Sequence, residues 1–169
     1  MRPILLAALL LAITSPSFAE VTASSPSGFT LRHEASSLLS PDELWQRLVS
    51  PSTWWADDHT YSGDASNISP LGDAGSAWRE DWDNGSVVHG RVLLVKTEEE
   101  LVLSAPFGPL LYTGAECIWR IQIAPAEGFG TLITSSHTVV GRPGTGLEEL
   151  APAVDFVMGA GIKSLARDP

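Results

Sequence analysis

One cysteine, Cys117, is all that 169 residues contain, so no intrachain disulfide can form. That excludes the stapled scaffolds common among small exported domains, and a chain of this length buries an adequate core without them. Cys117 stands in the apolar run Cys117-Ile118-Trp119-Arg120-Ile121 and reads as a small buried hydrophobe, not a reactive thiol. Positive charge is scarce as well. Ten Lys and Arg face twenty Asp and Glu, a formal net charge of −10. Phosphate backbones and anionic lipid surfaces repel such a chain, which argues against nucleic acid as a partner and against tight docking to an anionic membrane. Metal-ligand spacing is missing: Asp57-Asp58-His59 are adjacent, His33 and His137 are scattered, and no further His or Cys supports them. Neither a metal nor a cofactor is expected. No Gly-x-Ser-x-Gly elbow occurs, and Ser62 beside Gly63 lacks that context. Gly141-Arg142-Pro143-Gly144-Thr145-Gly146 lacks the dinucleotide spacing and runs into Glu148 and Glu149, which would repel an anion. It is a connector, with Arg142 a candidate cap for a pocket mouth. There is no internal repeat.

What is present begins with an address label. Arg2 is followed by an apolar run from Ile4 to Ile13, a break at Pro16, and small residues at Ser17 and Ala19. This is the three-part pattern of a secretory signal peptide, too short in its apolar stretch to span a bilayer. Cleavage is expected after Ala19, with residues 20–27 as an N-terminal tail and 28–168 as one domain, exported to the periplasm or secreted. No stable membrane insertion is expected after cleavage. Losing Arg2 takes the net charge from −10 to about −11.

Gly28 to Ala35 alternates apolar and polar residues and reads as a strand. Ser40-Pro41-Asp42-Glu43 then opens a short helix, with Ser40 as cap, Pro41 in the first turn and Glu43 completing a capping box. From Ser50 to Gly75 the sequence is irregular, with Trp54, Trp55 and Tyr61 embedded, and a stretch of that kind covers something or acts. Strands follow at Ser76–Trp82 and Ser86–Val95 across the hairpin signal Asn84-Gly85, then at Leu101–Ala105, Ala115–Ala124 and Thr131–Val140. The sequons Asn84-Gly85-Ser86 and Asn67-Ile68-Ser69 read as turn chemistry. A long helix from about Leu147 carries apolar residues every three or four positions through Leu165. Strands in hairpin succession with helices on one face make an α+β fold, a curved antiparallel sheet around a C-terminal helix.

That layout resembles the helix-grip fold of the SRPBCC superfamily, which includes START lipid-transfer domains, birch-pollen-allergen-like proteins and polyketide cyclases. Within it the chain is similar to the bacterial polyketide cyclase/dehydrase or activator-of-chaperone-ATPase-like group. Ser40 to Trp45 with Val49, Pro51-Ser52-Thr53-Trp54-Trp55, Gly75 to Glu80, His89-Gly90-Arg91-Val92 and Gly130-Thr131 carry the resemblance, over nearly all of the mature chain. It implies a pocket for a lipid, polyketide or similar molecule, with aldol-type cyclisation in some members. One fold hosts many functions and does not select among these. The chaperone-activator reading conflicts with an export signal, because that partner is cytosolic.

Glu80 and His89 are the candidate catalytic pair. Glu80 shares a strand face with Trp78 and Trp82, and a desolvated carboxylate there would have a pKa raised toward general acid or base work. Exposure of Glu80, or its pairing with Arg91, is the competing reading. The opposite parity of Val88, Gly90, Val92 and Leu94 would send His89 to solvent. Trp54, Trp55, Trp78, Trp82, Trp119, Val154 and Met158 are the candidate ligand-binding residues, with Trp54 and Trp55 on a possible lid. The leading expectation is an exported binding protein for a hydrophobic or amphipathic small molecule, held between sheet and terminal helix. The alternatives are a cyclase or dehydratase-like enzyme in the same pocket, and a protein-interaction module whose pocket is collapsed.

Overall fold

The computed structural model describes residues 19–167; the apolar run of the expected signal peptide lies outside them. Seven strands form one antiparallel sheet: β1 (Ala19–Ser25), β2 (Gly28–Ser37), β3 (Ala77–Trp82), β4 (Gly85–Lys96), β5 (Glu100–Ser104), β6 (Glu116–Pro125) and β7 (Thr131–Val140). Their order is β1-β2-β7-β6-β5-β4-β3. From β3 to β7 each strand lies beside its sequence neighbour, and the long return places β2 against β7. Helix α1 (Pro41–Leu48) follows β2, and α2 (Ala151–Ala166) packs mainly against β2 and β1. This is the helix-grip architecture.

Period-two alternation sets the inner face. On β6, Cys117, Trp119, Ile121 and Ile123 are buried, and on β7 Thr131, Ile133, Ser135, His137 and Val139. Burial pushes the Cys117 thiol up to about 11, with Glu116 adding to the shift, so it is a packed hydrophobe. The α1 capping box forms as read: Ser40 Oγ accepts from the Glu43 N–H, and Glu43 Oε2 accepts from the Ser40 N–H at 2.9 Å.

Two elements depart from expectation. The tail expected over 20–27 is mostly strand, because β1 pairs along β2 and occupies an edge that would otherwise present unpaired backbone groups. The terminal helix starts at Ala151, not Leu147. Pro152 has no N–H to donate back to residue 148, so Leu147–Glu149 closes as a separate 3-10 turn.

The irregular segment is a cover. It runs through short 3-10 turns at Pro51–Thr53, Asp57–His59 and Ala65–Asn67. Ser69 N–H donates to Arg79 O at 2.8 Å, and Ile68 bridges to Glu80, so the segment is tied along the outer edge of β3.

Candidate functional site

Four indoles and a phenyl ring fill the space between the sheet and α2. Trp78 (β3) and Trp119 (β6) are fully buried, and Trp54 and Trp55 fold down onto them from the cover. Phe107 joins from the connection between β5 and β6, stacking on Trp55 at 5.3 Å between centroids and 27° between planes. Trp55 meets Trp78 edge-on at 5.2 Å, and Trp54 meets Trp78 at 5.7 Å. Helix α2 reaches this layer at Gly161, where a Cβ would stand 2.8 Å from Trp55 Cζ3 and 3.4 Å from Trp54 Cζ3.

Beside this layer lies a cavity of about 460 Å³, open on one side. Its apolar wall is Trp55, Phe107 and Pro109 with Val154, Val157 and Met158 of α2. Its other wall is polar: Asp58, His59, Thr60 and Tyr61, contributed by the cover. Trp55 Nε1 donates to His59 O at 3.1 Å and so joins the two walls. Phe156 lies largely exposed on α2 beside His59, with centroids 6.3 Å apart.

Of the seven expected ligand-binding residues, Trp55, Val154 and Met158 stand in the cavity wall. Trp54, Trp78 and Trp119 do not line it; they form the packed layer behind Trp55 and Phe107, and the space they were expected to border is filled by their own rings. Trp54 and Trp55 are both buried, so neither is an exposed lid residue. Trp82 shares the face of Trp78 but sits at the far end of β3, where its ring covers Gly85 of the hairpin. Sequence reasoning did not single out Phe107 or Pro109. Their signal was the apolar pair flanking Gly108, within what read only as a turn.

Glu80 and His89 are brought together and buried, but outside the cavity lining. His89 Nε2 donates to Glu80 Oε2 at 2.7 Å. The cover supplies two more hydrogen bonds to Glu80: Tyr61 N–H donates to Oε2 at 3.1 Å and Ser62 N–H to Oε1 at 2.5 Å. Burial alone would raise the Glu80 pKa, but the hydrogen bonds from Ser62, Tyr61 and His89 together outweigh it, and the carboxyl is held below its ordinary value. The expected raised pKa is therefore corrected: Glu80 is a satisfied carboxylate. It does not pair with Arg91, which is exposed opposite Ala77.

His89 points inward because β4 bulges there. Trp78 pairs with Gly90 and Arg79 with Val88, leaving His89 as the extra residue and breaking strict alternation. Its ring lies 5.6 Å from Tyr61 and 5.9 Å from Phe107, both of which line the cavity.

A second buried polar group spans the sheet. His33 Nε2 (β2) is 2.9 Å from Asp155 Oδ1 (α2), His137 Nε2 (β7) donates to Ala105 O at 3.1 Å, and Trp119 Nε1 donates to Ser135 Oγ at 2.7 Å. Burial lowers the His137 pKa to about 4, opposed by the Ala105 hydrogen bond and reinforced by nearby His33. No group of three or more His, Cys, Asp and Glu able to hold a metal occurs among the described residues. Arg142 is exposed on the connector and does not line the cavity. No helix among the described residues is long and apolar enough to cross a membrane.

No family model matches the chain. No curated protein matches it either. Solved structures do. A protein from Rhodobacter sphaeroides aligns over 88% of this chain and 96% of its own, with 21% identity and a TM-score of 0.57. CalU16 from Micromonospora echinospora aligns over 90% and 83%, with 16% identity and a TM-score of 0.57. StfQ, a di-domain ARO/CYC from the steffimycin biosynthetic pathway, aligns over 83% of this chain and 50% of its own, with 8% identity and a TM-score of 0.55. At these identities the likeness establishes the shared fold.

Proposed function

We propose that this chain is an exported protein that binds a hydrophobic or amphipathic small molecule in the cavity between α2, the Phe107–Pro109 turn and the Asp58–Tyr61 wall. The observation that carries this reading is the cavity itself. Its volume of about 460 Å³ falls in the range of small-molecule sites, and an apolar wall faces a short polar one, the usual layout for an oriented amphipathic ligand. An open cavity also speaks against the collapsed interaction module. Export rests on the leader pattern, and cleavage after Ala19 would leave β1 nearly whole. The acid–base reading has less support, because Glu80 and His89 satisfy each other and Glu80 is occupied by the cover.

The test is native mass spectrometry of protein purified from an exported preparation, then organic extraction of any adduct. A stoichiometric apolar adduct, lost from Val154→Trp or Met158→Trp, is the expected result. A bare mass that stays bare after incubation with lipid and polyketide extracts would overturn the reading.

A further inference from the structure

Building on the binding reading, we infer that the cavity is made for a ligand with a cationic head, an ammonium or similar group on an apolar and preferably aromatic body. Four observations converge. First, none of the twelve lining residues is Lys or Arg, so the wall has no permanent cation for a carboxylate, sulfonate or phosphate, and its side-chain donors are only the His59 imidazole and the Thr60 and Tyr61 hydroxyls. Second, the polar wall carries the Asp58 carboxylate.

Third, the apolar wall is headed by two aromatic rings, Trp55 and Phe107, with the Tyr61 phenol at its border. Indole and phenyl rings present negative π faces that attract a cation and repel an anion. Fourth, the charge behind the polar wall is also negative. Glu80, held ionised by its hydrogen bonds, lies directly under the Tyr61 and Ser62 backbone. A chain of net charge −10 adds a field of the same sign.

The positive groups of the described chain are engaged or exposed elsewhere. Arg32 pairs with Glu34, Arg79 with Asp81, and Lys96 and Arg120 with Glu100, while Arg47 donates to Ser164 O. An anionic ligand would therefore exchange its hydration for a few hydrogen-bond donors with no Lys or Arg charge and with the Asp58 carboxylate opposing it, whereas an ammonium exchanges water for that carboxylate and the neighbouring aromatic rings.

The experiment is calorimetric titration of the full mature protein at pH 7.5 and low salt with three probes that share one ring system: 1-naphthylmethylammonium, 1-naphthylmethanol and 1-naphthoate. The expected order is ammonium about tenfold tighter than alcohol, with carboxylate weakest. Asp58→Asn should bring the ammonium's affinity toward the alcohol's, and 0.5 M NaCl should shrink the gap, since Asp58 is exposed to screening. An ammonium no tighter than the alcohol, or a carboxylate that equals it, would overturn the charge preference while leaving the binding reading standing. If none of the probes binds and no adduct is found by mass spectrometry, the binding reading itself fails. A tenfold preference that Asp58→Asn does not reduce would also sink the assignment of the head group to this wall.

Discussion

At the residue scale, Glu80 is the informative position. Its alternation with Trp78 marked it as inward-facing, and it is fully buried. What alternation could not show is the company it keeps. Tyr61 and Ser62 approach from nearly twenty residues earlier, and their N–H groups turn a candidate acid into a carboxylate anchor for the cover. Glu80→Gln keeps the shape but weakens charge-assisted acceptance, so it should destabilise by about 1–3 kcal/mol. Hydrogen exchange should accelerate at the Tyr61 and Ser62 amides first. Unchanged exchange there would show that the carboxylate does not hold the wall. His89 was the harder residue. A bulge is one extra residue in a strand, and nothing in the local pattern of Val88, Gly90 and Val92 announces it.

At the element scale, α2 combines a stripe legible from spacing with a contact that was not. Ala151, Val154, Met158, Ile162 and Leu165 are buried as their three- and four-residue spacing implies. Gly159 and Gly161 are buried too, and Gly161 is where the helix backbone meets the indoles. In an isolated helix Gly→Ala would stabilise by about 1 kcal/mol. Here the new methyl would press on Trp55, whose ring is held by Phe107, Trp78 and the His59 carbonyl. Gly161→Ala should therefore destabilise by about 1–3 kcal/mol through overpacking. Thermal melts read the sign directly, and a raised Tm would mean that Trp55 swings freely into the cavity.

At the scale of the whole molecule, the long return that seats β2 against β7 creates a buried polar line that sequence distance concealed. His33 and His137 are 104 residues apart, yet they occupy neighbouring positions on one inner face, since His33 pairs with Ser135 and Leu31 with His137. His137 is buried neutral, its pKa near 4 against about 6.5 unfolded. The unfolded chain thus binds more protons between those values, and folding stability falls as pH drops from about 6.5 toward 4. The lowered Glu80 carboxyl acts in the same direction further down, its contribution disappearing as pH falls through its folded value. Urea unfolding at pH 7 and pH 4.5 should show a loss of a few kcal/mol, and His137→Gln should remove the part above pH 4.5. An equal pH dependence in that variant would assign the effect elsewhere.

Sequence by itself determined the local elements and the fold class. Alternation, the Ser40–Glu43 box and the helical stripe are written within a few residues of one another, because they depend on backbone geometry and side-chain periodicity, whereas the β3–β4 turn falls at Asp83-Asn84 and not at the expected Asn84-Gly85, because Gly85 already pairs with Trp82. It also set the charge balance that bears on the ligand's sign. Only the tertiary structure decided which tryptophans pack and which one faces the cavity, that Glu80 is satisfied, and that His89 turns inward. Those outcomes depend on contacts among the cover, β3, β4 and α2, and on one inserted residue that shifts a register. Side chains of like chemistry take different roles according to what reaches them first in three dimensions, and separation along the chain carries no record of that.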